Sequence, residues 1–109
     1  MWQCSACGFI WDGEEPLEEC LKCGAKGERF EQLDTKAADT IERARFTNSL
    51  HMQAYALLEE ITAIAEEGLD DNLDAGCAKI FERTLVQAEF LQQAIKSELQ
   101  GHMKKGKWG

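Results

Sequence analysis

The sequence predicts a small α+β protein in which a metal-held N-terminal unit precedes an antiparallel helical hairpin. Four of the five cysteines lie within the first 23 residues, and the fifth is far downstream. From Thr35 the composition changes to Ala, Leu, Glu and Ile, with no Gly or Pro before Gly68. A unit below about 40 residues usually needs a metal, disulfides or a partner to stay folded. We therefore divide the chain into a metal-binding domain at 1–34, a helical hairpin at 35–101 and a flexible basic tail at 102–109.

The early cysteines form two Cys-x2-Cys pairs separated by 12 residues. Each pair is followed directly by a glycine, Gly8 or Gly24, where a tight turn needs a positive φ. Two such turns that face each other supply four soft donors to a tetrahedral ion. The alternative of two surface disulfides conflicts with a reducing compartment. The spacing therefore predicts one metal ion bound by Cys4, Cys7, Cys20 and Cys23.

Aromatic and turn residues accompany these cysteines in a defined order. The order runs from WQCSACGFIWDG at 2–13 through Pro16 and CLKCGA at 20–25 to Phe30 and Leu33. This pattern resembles the short rubredoxin-like domain of rubrerythrins, which has the same 12-residue gap. The resemblance covers 1–34, and Leu21 departs from it because the family has proline there. It implies that the four cysteines ligate iron and that aromatic residues pack around the site, namely Trp2, Phe9, Trp11 and Phe30.

The identity of the metal has two alternatives. A tetrahedral site of four thiolates takes either zinc or iron. Zinc has no accessible redox chemistry and would be structural, whereas iron exchanges one electron in the same geometry. The resemblance favours one iron per chain, and zinc stays open.

Apolar residues recur at helical spacing through both halves of the region after Thr35. The first helix is predicted to begin at a cap from Asp34 or Thr35 and to end at Gly68. The second is predicted to begin between Asp70 and Asp74 and to end at Gly101. A hairpin has one interface of its own, but both helices have wide apolar faces. We therefore expect a homodimer or higher homo-oligomer that completes a four-helix bundle, with packing against the metal domain as the alternative.

The hairpin also has a weak resemblance to half of a rubrerythrin or ferritin-like bundle. Such bundles bind two irons through glutamates and Glu-x-x-His motifs, but this chain has no Glu-x-x-His. The aligned ligand positions fall near Leu50, Ala88 and Leu91, which are apolar. We therefore expect no diiron site, no catalytic residues and no enzymatic activity. We interpret Cys77 as a buried structural thiol and His51 as a helix surface or interface residue.

The charge of the chain limits its partners. The net charge is −8, so the surface repels phosphate backbones and nucleic acid is not expected to bind. We see no signal peptide and no apolar run near the roughly 20 residues that span a bilayer. The expected location is therefore cytoplasmic, without membrane association.

These observations lead to two functional hypotheses. The first is a small electron-transfer protein with one Fe(Cys)4 centre that carries single electrons between a reductase and an oxidase or peroxidase-type partner. Acidic residues at 12–34 would steer these protein redox partners. The second is a structural zinc-ribbon adaptor whose helical hairpin mediates protein–protein assembly.

Overall fold

The computed structural model describes residues 1–109 and contains three short strands and two long helices. This architecture confirms the predicted α+β class. The chain divides into two compact units, Met1–Arg45 with Gly106–Gly109, and Phe46–Lys105. The elements in chain order are β1 (Trp2–Cys4), β2 (Ile10–Trp11), β3 (Phe30–Gln32), α1 (Thr35–Asp71) and α2 (Ala75–Lys104).

The first unit is built on an antiparallel sheet with β1 at its centre, in the order β2-β1-β3. Trp2 pairs with Trp11 on one side and with Gln32 on the other. At the other end of β1, Cys4 pairs with Phe30. The register therefore places a buried aromatic side chain beside the first cysteine.

The first unit extends beyond the predicted boundary at 34. The Arg45 guanidinium lies 2.9 Å from the Asp12 carboxylate, and its Nε donates to a backbone oxygen of Gly109 over 2.9 Å. A Cβ placed on Gly109 would lie 2.6 Å from Ile10 and 2.9 Å from Ile41. Residues 106–109 thus pack in this unit, and the prediction of a free tail needs correction. A short sequence window does not reveal contacts made 64 residues apart.

Helix α1 begins where the sequence predicts but ends later. The Asp34 carboxylate accepts a hydrogen bond from the Ala37 N–H at 2.7 Å, so Asp34 is the cap. Gly68 is helical, and a Cβ there would meet the ring of Phe81. The left-handed residue after the helix is Asn72, with φ 44°. Gly68 therefore allows the two helices to approach closely. Asn72, and not Gly68, is the left-handed residue that ends the helix.

Helix α2 begins at the predicted position and continues past its predicted end. The Asp74 carboxylate accepts from the Cys77 N–H at 2.7 Å and caps the first turn. The helix passes through Gly101 to Lys104. His102, assigned to the tail from sequence, is buried and lies 2.5 Å from Asn48 through its Nδ1. The last turn of α2 therefore packs against α1 through this buried contact.

The second unit is an antiparallel hairpin of α1 and α2 with a narrow core. Only a few of its side chains are buried, and two of them are alanines. The buried residues are Ala65, Ala88 and Ile95, with Asn48 and His102 at one end. Neither α1 nor α2 contains a stretch long and apolar enough to cross a membrane. The oligomeric state predicted from the apolar faces stays a prediction.

Candidate metal centre

Two backbone turns of the same kind position the four cysteines. In the first, the Gly8 N–H donates to the Cys4 carbonyl and the Cys4 N–H to the Phe9 carbonyl. In the second, the Gly24 N–H donates to the Cys20 carbonyl in the same pattern, at 2.8 Å. Both glycines have positive φ, 79° and 73°, as the sequence predicted. The spacing of each pair therefore folds locally into a turn that presents two thiols on one side.

The four sulfur atoms converge to a single point. All lie within 4.8 Å of one another. Cys4 Sγ is 3.8 Å from Cys23 Sγ, and Cys7 Sγ is 3.7 Å from Cys20 Sγ. Metal–sulfur bonds of about 2.3 Å in a tetrahedron place the sulfurs about 3.8 Å apart, whereas a disulfide needs about 2.05 Å. The donors therefore fit a tetrahedral ion, and none of the cysteines is in a disulfide.

Burial differs sharply among the four donors. Cys4 and Cys20 are buried, Cys7 is half-buried and Cys23 is exposed. Leu21, in the second turn, is 75 % exposed. The centre is thus enclosed on one side and open on the side of Cys23.

Hydrogen bonds to sulfur shift the pKa values of the second pair in opposite directions. Burial raises the pKa of Cys20, but N–H groups of Cys23 and Lys22 outweigh it and lower the value from 9.0 to about 7. The Ala25 N–H lowers the pKa of Cys23, but hydrogen bonds with neighbouring thiols, Cys7 first, raise it to about 12. Without metal, Cys20 therefore loses its proton more readily than Cys23, which keeps its proton at neutral pH. A bound cation has to displace that proton.

Aromatic side chains pack around the buried donors. Phe30 is buried with Cys4 and Cys20, and Trp2, Phe9 and Trp11 pack against this cluster with Leu17 and Ala25. The indole N–H groups of Trp2 and Trp11 donate to the carbonyls of Glu14 and Glu15 at 3.2 and 3.0 Å. These bonds fix the segment between the two cysteine pairs. The aromatic packing implied by the resemblance is present at all four positions.

No other group of three or more metal-ligating side chains converges in the structure. Cys77 is half-buried in the first turn of α2. His51 is half-buried and has its ring centroid 6.4 Å from that of His102. Sequence reasoning missed the buried pair of His102 and Asn48. His102 follows Ile95 and Leu99 at helical spacing, so all three lie on one side of α2, and this spacing was the signal available.

Comparison with known proteins covers the first unit only. Residues 2–31 match the family model for the rubredoxin-like domain of rubrerythrin. This match confirms the resemblance predicted for the N-terminal domain and includes both cysteine pairs. No curated protein and no solved structure matches the chain significantly.

Proposed function

We propose that this chain is a small one-electron carrier in which Cys4, Cys7, Cys20 and Cys23 hold one iron ion. The observation that supports this most directly is the convergence of the four sulfurs inside a rubredoxin-like domain. Bound iron supplies a one-electron couple in a tetrahedral thiolate site. In this proposal the chain holds the four sulfur donors in place, and none of its residues is given a catalytic role.

The open side of the centre supports an exchange with protein partners. Cys23 is exposed, and the exposed apolar side chain of Leu21 lies in the same turn. A partner that covers Leu21 removes water near an exposed ligand and approaches the sulfur closely. The buried ligands Cys4 and Cys20 offer no such approach. We therefore place electron entry and exit at the turn from Cys20 to Cys23.

Charge supports the kind of partner proposed. The first 34 residues contain eight acidic and three basic residues. Acidic side chains near the centre, such as Glu19, are exposed. Such a surface attracts a basic docking patch and speeds encounter at low salt. The proposed partners are a reductase that supplies the electron and an oxidase or peroxidase-type protein that receives it.

A structural zinc-ribbon adaptor is the second candidate. Sulfur distances near 3.8 Å fit zinc as well as iron. The hairpin also exposes large apolar side chains, as expected of a protein that binds another protein. In this function the metal would hold the first unit folded and the helices would do the binding.

Metal analysis with visible spectroscopy distinguishes the two functions. The chain is expressed once with added iron and once with added zinc, and each preparation is reduced with dithionite and returned to air. A carrier is expected to hold one iron per chain, with thiolate-to-iron bands that bleach and return. Cys77→Ser is the matched control, because it removes a thiol outside the cluster and is expected to leave the spectrum unchanged.

A colourless protein that holds zinc when iron is plentiful would refute the carrier and support the adaptor. Iron that cannot be reduced at any accessible potential would also refute the carrier.

A further inference from the structure

We propose that one side of the hairpin, here called the apolar face, is the interface with a second copy of this chain. The face carries six large apolar side chains that are between 39 % and 67 % exposed. They are Leu50, Leu57, Ile61, Ile64, Ile80 and Leu91.

The position of this face follows from the line of contact between the helices. The contact line of α1 is buried or half-buried and consists of His51, Tyr55, Leu58, Thr62 and Ala65. Four of the apolar side chains precede a residue of that line directly, so each is rotated from it by about 100° in the same direction. On α2, Ile80 and Leu91 likewise precede the half-buried Phe81 and Gln92. Because the helices run antiparallel, preceding residues lie on the same side of the hairpin on both helices.

The opposite side of the hairpin has a different character. Residues that directly follow the contact line include exposed charged side chains: Glu59, Glu66, Glu82, Glu89 and Lys96. Three exposed apolar side chains, Met52, Val86 and Met103, also lie on this opposite side, but they stand among charged residues. On the apolar face, the α1 positions between the large side chains are uncharged. On α2, Arg83 lies between Ile80 and Leu91, and Glu98 lies beyond them, 3.3 Å from the Nε2 of His102.

The size and spacing of the face indicate what covers it. Six side chains of this size, each about half exposed, offer on the order of 600 Å² of apolar surface, against about 800 Å² per partner in a standard interface. Ala54, Thr84, Gln87 and Ala94 lie on the same side and extend it. The spacing from Leu50 through Ala54, Leu57 and Ile61 to Ile64 alternates four and three residues, the seam of helices that pack against helices. A second hairpin of equal length satisfies this seam and completes a four-helix bundle.

Mass measurement in solution tests this interface on the full metal-loaded chain. The protein of 12.3 kDa is expected to sediment at micromolar concentration with twice that mass. Leu57→Glu places a carboxylate in each half of the interface and is expected to raise the dimer dissociation constant at least about a hundredfold. Met52→Glu adds the same charge to a residue of similar exposure on the opposite side, and its dimer is expected to persist.

Circular dichroism has to show that each variant keeps its helices. If Leu57→Glu does not fold, Ile64→Lys takes its place with the same expected dissociation. A monomeric parent protein, a dimer that survives these changes, or equal dissociation by Met52→Glu would each overturn the proposal. The result does not depend on which metal the cysteines hold.

Discussion

Two glycines within the helices of the hairpin provide a matched pair of substitutions. In Gly68→Ala the new methyl group would overlap the ring of Phe81 across the hairpin. In Gly101→Ala the same methyl group would meet no atom within 4 Å. We expect the first substitution to destabilise the protein and the second to stabilise it.

The magnitudes follow from two opposing effects. Alanine in place of glycine inside a helix stabilises by roughly 0.5–1 kcal/mol, which is the whole effect expected at Gly101. At Gly68 this gain is outweighed by overpacking, which costs about 1–3 kcal/mol when a core ring has to shift. The two variants should therefore differ by about 1–3 kcal/mol in the free energy of unfolding.

Thermal unfolding of the metal-loaded protein, followed by far-UV circular dichroism, measures this difference. A change of 1 kcal/mol shifts the melting temperature by about 4–8 °C in a domain of 60–100 residues. Adding Phe81→Leu to Gly68→Ala should restore part of the loss, since the two positions share one contact. A Gly68→Ala variant that melts higher than the parent, as Gly101→Ala should, would refute the close packing of these helices.

Three further predictions concern buried polar contacts and the metal centre. Asn48→Ala leaves the Nδ1 of the buried His102 without its Asn48 partner and should cost about 1–3 kcal/mol in urea unfolding. Asn48→Asp keeps an acceptor there and should cost less, and equal losses would contradict the contact. Cys4→Ser removes a buried donor and should abolish metal binding, whereas Cys23→Ser opens an exposed position that water fills and should keep a weaker site. Metal-to-protein ratios after dialysis measure the difference between the two variants, and full retention of metal by Cys4→Ser would contradict the site. Because the folded pKa of Cys20 is depressed to about 7 from 9.0, its thiolate contributes stability to the metal-free protein above pH 9, and this contribution is lost as pH falls through 7. Urea unfolding of the metal-free protein at pH values between about 6 and 9 measures this contribution, and a stability that does not rise with pH over this range would contradict it.

The metal centre was predictable because its geometry is local. Each pair of cysteines forms its turn through backbone hydrogen bonds within six consecutive residues, 4–9 and 20–25. The same holds for the capping residues Asp34 and Asp74, whose carboxylates bind N–H groups three residues ahead. The features that the sequence predicted are therefore those formed by hydrogen bonds between residues close together in the chain.

The features that sequence reasoning missed depend on distant contacts. Gly68 looked like a helix end, but its role depends on the ring of Phe81, 13 residues away. His102 looked like part of a polar tail, but Asn48 holds it in the hairpin. The residue pattern of one helix does not show which residues of the other helix it will contact. The exposed side chains on the apolar face, in contrast, were already visible as helical periodicity.

The hydrogen bond from the Arg45 guanidinium to Gly109, here called the clasp, has a consequence for the order of folding. The two cysteine turns need only short-range contacts and can form as soon as residue 25 is made. The clasp joins residues 64 apart and has to wait for the intervening chain, since long loops close late. During synthesis, both cysteine turns can therefore form before the unit that contains them is complete. A fragment cut after residue 34 would keep all four cysteines but lack the guanidinium that pairs with Asp12.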